Sequence, residues 1–439
     1  MKRIYPSAAR VMAVMMSLGF VLSISSCKKE GCTDEAATNY DDKAKENDGS
    51  CKYAAVENGE ITKSGSLTAN ETWTANNIYL LDGKVVVTDG VTLTIEPGTI
   101  IKGKQGQEAA ASALIVAKGG MLMAEGTAAD PIIFTSELDN ITFGEKVGTN
   151  LTKTDNEKWG GIALLGDAPS STENGDKVGN LEGIPAEEGY GEYGGDNAAD
   201  NSGVMTYVSI RHGGISIGEG NELNGLTLAG VGNGTTIENI EIYATLDDGV
   251  EFFGGTVNVS NVLVFYHGDD GIDIDQNYSG TVDGFAVIHG DGIGTDEGLE
   301  IDGPEGSTYE DGLFTLKNGL CKNEGSEGSA ADFKSKAQGT IQNVTFEYGS
   351  KPVKLRASFD ESCGAKSDAA KYVADDRLVF DNCNMSSIEV YENADPATCI
   401  SETAAAQTAA EGKITISGAG GSVDLSTWSW GAAGINGEI

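Results

Sequence analysis

Basic residues are scarce in this chain: 29 Lys and Arg stand against 67 Asp and Glu in 439 residues, for a formal net charge of −38. So acidic a surface repels nucleic acid and anionic headgroups and attracts divalent cations. Proline is scarce too, with 8 residues, whereas glycine reaches 61, about twice the ordinary usage of ~7%. With frequent β-branched triplets, that balance describes short strands joined by tight turns. No period of 3.6 residues runs long enough for a helical repeat, and the Leu/Asn ladder of leucine-rich repeats is missing. A Ser-His-Asp nucleophile elbow, a phosphate loop and zinc-ligand spacing are absent as well. Disorder is excluded despite the charge, because apolar residues are plentiful and evenly spaced.

Cysteine is also sparse, with 7 residues, an odd number. Lys2, Arg3 and Arg10 precede an apolar stretch over 11–24 that is too short for a stop-transfer helix, and Ile24-Ser25-Ser26-Cys27 follows. Charge, apolar run and small residues in that order predict a secretory signal over 1–26. A cysteine at the cleavage point makes it a lipobox, with Cys27 as the first mature residue and the lipid carrier in an outer membrane. Loss of the +3 of the signal would leave the mature chain near −41 (−38 − 3). Six cysteines remain, and an even number in an exported chain suggests disulfides. Cys32 and Cys51 are the expected pair. Cys321, Cys363, Cys383 and Cys399 allow three connectivities, which stay open.

Residues 27–56 form a small unit, a polar loop clamped by Cys32 and Cys51. Its Asp34, Asp41, Asp42, Asn47 and Asp48 offer calcium ligands, but EF-hand spacing is lacking, so a disulfide-held acidic spacer is preferred. From 57 to 360 three-residue apolar strands alternate with Gly-rich turns. Leu93-Thr94-Ile95 matches Leu114-Ile115-Val116 after 21 residues (114 − 93), and Gly-Thr starts recur at Gly234, Gly255, Gly280 and Gly339. Such self-similarity means stacked repeats, and short strands with corner turns suit an all-β, right-handed parallel β-helix. One column aligns as Val250-Glu251, Ile272-Asp273, Leu299-Glu300, Phe333-Lys334 and Val353-Lys354. Asp247-Asp248-Gly249, Asp269-Asp270-Gly271 and Asp296-Glu297-Gly298 precede its first three rows. Glu251, Asp273 and Glu300 are therefore expected side by side on one sheet. Residues 361–439 lose the period and read as a C-terminal cap that covers the open solenoid end. Trp428 and Trp430 read as its core rather than as a sugar platform.

Several longer fragments carry a family likeness: LTIEPGTIIKG (93–103), ALIVAKGGMLMAEGTAADPIIFTS (113–136), WGGIALLGDAP (159–169), YGGDNAADNSGVMTYVSIRHGG (193–214), NELNGLTLAGVGNGTTIENIEIY (221–243) and DDGVEFFGGTVNVSNV (247–262). Over about residues 75–300 the chain resembles a family of Gram-negative envelope lipoproteins with a pectin-lyase-like β-helix, mostly of unknown function. The resemblance implies the fold and the compartment, the outer membrane of the cell envelope; display at the surface is a further expectation. It supplies no catalytic set.

Stacked acids about 4.8 Å apart repel by roughly 3–4 kcal/mol at an effective dielectric of 20, so the ladder calls for a counter-charge. Calcium on Asp269, Asp270, Asp273, Asp275, Glu300 and Asp302 is one; the basic rows with Lys334, Lys336, Lys354 and Arg356 are another. Pectin-lyase-like enzymes that cleave uronic-acid glycans hold calcium on carboxylates and use Lys or Arg as the base. That casts Lys334 or Lys336 as a candidate catalytic base, and Lys354 and Arg356 as candidate binding residues. A self-neutralising charge ladder explains the same residues and is preferred. His212, His289 and the Asp269-Asp270 pair invite comparison with polygalacturonase-type hydrolases, but their order differs and the Asn-Thr-Asp element is missing. The expectation is a non-catalytic, lipid-anchored surface β-helix that binds a glycan or another envelope component with calcium. A calcium-dependent polysaccharide lyase and a structural or adhesive stalk are the alternatives.

Overall fold

The computed structural model describes residues 29–439 apart from 35–36, 38, 53–58, 108–109, 219–220, 291–295, 326–327 and 395–396. The signal segment and Cys27 lie outside the described residues. Contacts divide the chain into two units, Met1–Glu57 and Asn58–Ile439.

In the first unit Cys32 and Cys51 form a disulfide, with Cα atoms 4.7 Å apart. Strands Glu30–Gly31 and Glu46–Asn47 pair in parallel. Its acidic side chains are engaged locally. Asp41 pairs with Lys29 at 2.5 Å and accepts from the Lys43 amide, while Asn47 and Asp48 accept from Gly49 and Ser50.

The second unit is a parallel β-helix with three faces. Face A stacks Ala113–Val116, Ile162–Leu165, Leu226–Ala229, Val250–Phe253, Ile272–Asp275, Leu299–Ile301, Ala331–Phe333, Val353–Ala357 and Ile388–Glu392 in parallel register. Faces B and C are the two halves of longer strands such as Thr236–Tyr243 and Asn258–Phe265. The register between these strands omits one residue at mid-length. The omitted residue sits in the left-handed region at Tyr207, Asn239, Asn261, Gly284, Asn318 and Asn343, with φ between 50° and 75°. A left-handed residue turns the strand sharply, and asparagine tolerates that backbone better than other non-glycine residues. These asparagines also bond along the stack: Asn343 Nδ2 donates to Asn318 Oδ1 at 3.1 Å, and Asn382 Nδ2 to Asn343 Oδ1 at 2.8 Å.

Alternation fills the interior. On face A, Val250 and Phe252, Ile272 and Ile274, Leu299 and Ile301, then Val353 and Leu355 point into one continuous core. Each such side chain contributes roughly 1.5–3 kcal/mol on burial. The glycines after the acidic turns are required by close stacking. A Cβ at Gly249 would lie 2.5 Å from the Gly271 carbonyl oxygen, and one at Gly271 would lie 2.6 Å from that of Gly298.

The solenoid continues one coil past residue 360, through Leu378–Asp381 and Ile388–Glu392, before the cap begins. Helix Ile400–Lys413 then lies along the last face-A strand. Gln407 accepts from the Val390 amide at 2.7 Å and donates to the Ile388 carbonyl at 3.1 Å, so one side-chain amide stands in for a missing strand. The chain next pairs with the last edge of face C, where Met385 and Gly418 amides bond Ile416 and Cys383 carbonyls. At the other end Trp73 stacks on Tyr79, ring centroids 4.7 Å apart, and is fully buried.

Two expectations need correction. Trp428 and Trp430 are buried, but they do not cover the solenoid end; they lie on the outside of face C against Tyr243, Phe265 and Ile288. Their segment is held there by Glu241, fully buried, which accepts from the Ala432 and Ala433 amides at 2.8 and 3.0 Å. Among the later cysteines only Cys363 and Cys399 are bonded, and Cys321 and Cys383 are buried thiols. Cys321 pairs in register with Phe346, and that strand separates it from the coil of Cys383. Two strand spacings, roughly 10 Å, exceed the ~7 Å a disulfide can bridge.

Candidate acidic site on face A

The outward positions of face A change character along the solenoid. On early coils Ile115, Ala163 and Leu165 are covered by Leu181, Ile184, Tyr193 and Leu223 from the long connections. From Val250 onward charge replaces them. One outward column reads Thr227, Glu251, Asp273, Glu300, Asp332, Lys354 and Glu389. Glu251, Asp273 and Glu300 thus stand side by side on successive coils. Phe253 pairs with Asp275 in the next column, and Asp302 and Lys334 follow the paired rungs Ile301 and Phe333. The turn before the strands supplies a third column. The Asp270 amide donates to Asp248 Oδ1 at 3.0 Å, and the Glu297 amide to Asp270 Oδ1 at 2.6 Å.

Oxygens of Asp248, Glu251 and Asp273 lie within 4.8 Å of one another, and so do those of Asp247, Asp248 and Asp269. Asp248 belongs to both groups. Asp273 is only 7% exposed, and its Oδ1 is buried without a hydrogen-bond partner among the described residues. The Asn224 side-chain oxygen is likewise buried without one, while its amide donates to Glu251. Burial first, and neighbouring acids second, push Asp248, Glu251, Asp273 and Asp275 well above the usual carboxylate range. The same causes push Asp270 up to about 11. Burial and Glu173 push Glu305 up to about 7. A buried cluster of this kind is stable only with protons or a cation. Oxygen-only donors with several carboxylates suit calcium.

The basic rows are engaged by acids. Burial lowers the Lys334 ammonium, but Asp302 and Glu300 more than offset that and raise it above its ordinary value. It pairs with Glu300 and lies 3.5 Å from Asp302. Two carboxylates thus hold Lys334 as an ammonium. Lys336 Nζ donates to the Glu305 carbonyl at 3.2 Å, beside an open depression of about 640 Å³ that Glu173, Glu305 and Ser335 also line. Lys354 pairs with buried Glu297 at 2.5 Å. Arg356 grips buried Asp332 through Nε at 3.0 and 2.9 Å and Nη2 at 2.5 Å. The alignment of Phe333-Lys334 with Leu299-Glu300 is therefore wrong by two residues: Glu300 faces Asp332, and Ile301 faces Phe333. The legible signal was Ala331-Asp332-Phe333, which repeats the apolar–acid–apolar order of Leu299-Glu300-Ile301. Asp247, Asp248 and Glu251 join the cluster although the motif rows alone do not single them out as ligands.

The three histidines are buried and hydrogen-bonded to backbone carbonyls. His212 Nδ1 bonds the Asp155 carbonyl at 2.5 Å, His267 Nδ1 the Asp269 carbonyl at 3.1 Å, and His289 Nε2 the Glu297 carbonyl at 3.0 Å. Burial pulls His212 and His289 down to about 4. The paired acids and His212 do not form one open site.

Three parallel faces, left-handed asparagine bends and a polar outer ladder define a β-helix of the pectate-lyase type. The chain belongs to the family of pectate-lyase-like β-helix domains, whose model matches residues 65–433. No curated protein and no solved structure matches it.

Proposed function

We propose that this protein is a non-catalytic β-helix of a Gram-negative cell surface, lipid-anchored at Cys27, that holds calcium on face A and binds a glycan or another envelope component. The observation that carries the calcium reading is the cluster of Asp248, Glu251 and Asp273 oxygens, with the buried Oδ1 of Asp273 lacking a hydrogen-bond partner among the described residues. Asp247 and Asp269 extend the donor set from the turn. Asp275, Asp302 and Glu300 lie further along the same face, where Lys334 already supplies a counter-charge. The non-catalytic reading is supported by the pairing of Lys334, Lys354 and Arg356 with carboxylates. The anchor rests on the charge, apolar run and cysteine of residues 1–27.

Two assays test the reading. Purified protein is offered neutral and uronic-acid glycans with calcium or with chelator, and both binding and unsaturated-sugar product are followed. Binding without product is expected. Steady calcium-dependent formation of unsaturated product would overturn the non-catalytic reading in favour of a lyase. Separately, Cys27→Ser should shift the protein from the membrane fraction to the soluble one; a variant still bound to membranes contradicts the anchor.

A further inference from the structure

A groove of about 890 Å³ runs between the last face-A strand and the cap helix Ile400–Lys413. Its last face-A strand lies four coils beyond the Asp273 strand, counted along face A. Its floor is built from the ladder. Arg356 and Tyr391 are neighbours in register, and the guanidinium sits 5.7 Å from the tyrosine ring centre. Buried Asp332 fixes Arg356 with three hydrogen bonds through Nε and Nη2, and the side chain keeps 32% exposure. Nη1 makes no hydrogen bond among the described residues. The opposite wall carries Ile400, a large aliphatic side chain that is 72% exposed at the helix start, beside Thr403 and Ala404.

One wall thus offers a ring and a fixed donor, and the other offers aliphatic surface. Sugars present the same two characters, a C–H face that stacks on aromatic or aliphatic groups and hydroxyls that accept from fixed donors. Charge then decides which sugars. Glu389, Glu392 and Glu411 also line the groove, and the one guanidinium is already neutralised by Asp332. Glu392 accepts from Thr398 and the Cys399 amide and Glu411 from Gln407, but with Arg356 already paired these carboxylates still leave the groove negative, which repels a uronate or sulfate.

We infer that the groove between the last face-A strand and the cap helix is a binding site for neutral oligosaccharides, with Tyr391 as the stacking platform, Arg356 as a fixed hydrogen-bond donor and Ile400 as the apolar wall. This rests on the glycan-binding reading above and gives that reading a place and a ligand class. It puts the ligand away from the calcium cluster, so the two are separable by mutation.

The test is calorimetric titration of the full folded chain with gluco-, manno- and xylo-oligosaccharides, and with oligogalacturonate and alginate as anionic counterparts. Tyr391→Ala and Ile400→Ser are the variants, with the melting temperature read beside affinity. Ile400 is too exposed for its loss to unfold the protein, which keeps the test valid should Tyr391→Ala be unstable. Expected is binding of at least one neutral series, weakened about tenfold by Tyr391→Ala and measurably by Ile400→Ser. Neutral binding unchanged in both groove variants overturns the groove and leaves the glycan reading standing. Binding of anionic glycans alone, abolished by Asp273→Asn, overturns the groove and moves the ligand to the calcium cluster. Binding of no glycan overturns both.

Discussion

Single residues on face A are judged by what each would leave behind. Asp332 is buried and has its charge met by Arg356. Removing one partner of such a pair strands the other, at a typical cost of 3–5 kcal/mol. Arg356→Gln should therefore lower stability by about 3 kcal/mol in urea unfolding, and adding Asp332→Asn should recover most of the loss. A single variant as stable as the parent would show that Asp332 is solvated. Asp273 behaves in the opposite way. Its charge is repelled by Asp275, Asp248 and Glu251, so Asp273→Asn should raise the melting temperature of chelated protein. The same change should reduce the gain on adding calcium. Asp332 also shows where sequence reading failed at this scale. The acids at Glu251, Asp273 and Glu300 were legible because each follows an Asp-rich turn ending in glycine. Asp332 follows Ser329-Ala330-Ala331, so no turn marked its row, and the basic Lys334 drew the alignment two residues too far.

At the scale of elements, the strands declared themselves through apolar alternation, and the Asp-Asp-Gly turns through the close approach of stacked backbones. The left-handed bends were less legible, because a single asparagine inside a strand of eight or nine residues leaves the alternation intact on either side. The cap was the least legible element. Helix Ile400–Lys413 buries only Ala410 among its residues, so no apolar stripe announces its docking. Gln407 does that work through hydrogen bonds to an edge strand. Gln407→Ala should uncover the Val390 amide and the Ile388 carbonyl, and an exposed strand edge recruits other strands. The expected outcome is concentration-dependent self-association in sedimentation, with little change in helix content. A monomer at all concentrations would show that the edge is protected without Gln407.

The whole molecule couples stability to pH through its acid cluster. In calcium-free protein the carboxyls of Asp248, Glu251, Asp270, Asp273 and Asp275 are raised in the folded state. The folded chain then holds protons that the unfolded chain releases above about pH 4. Raised groups stabilise at low pH, and that contribution is lost as pH rises toward their folded values. The buried histidines act in the other direction, but only below about pH 6.5, where the unfolded chain begins to bind protons they refuse. Between about pH 6.5 and 8.5 the histidines are silent, while Asp270, pushed up to about 11, still holds a proton that the unfolded chain has released. Chelated protein should melt at progressively lower temperature across that range, and calcium-saturated protein should show a nearly flat profile.

That cluster is the centre of the account, and thermal unfolding with added calcium or magnesium tests it most directly on parent and on the double variant Asp248→Asn with Asp273→Asn. A native-state ligand at a hundredfold excess over its Kd stabilises by about 2.7 kcal/mol. Calcium should raise the parent's melting temperature clearly, magnesium should do less because it keeps its water and demands octahedral geometry, and the double variant should respond to neither. Equal effects of both ions on parent and variant alike would contradict the account, since they would reduce the cation effect to general screening of an acidic surface.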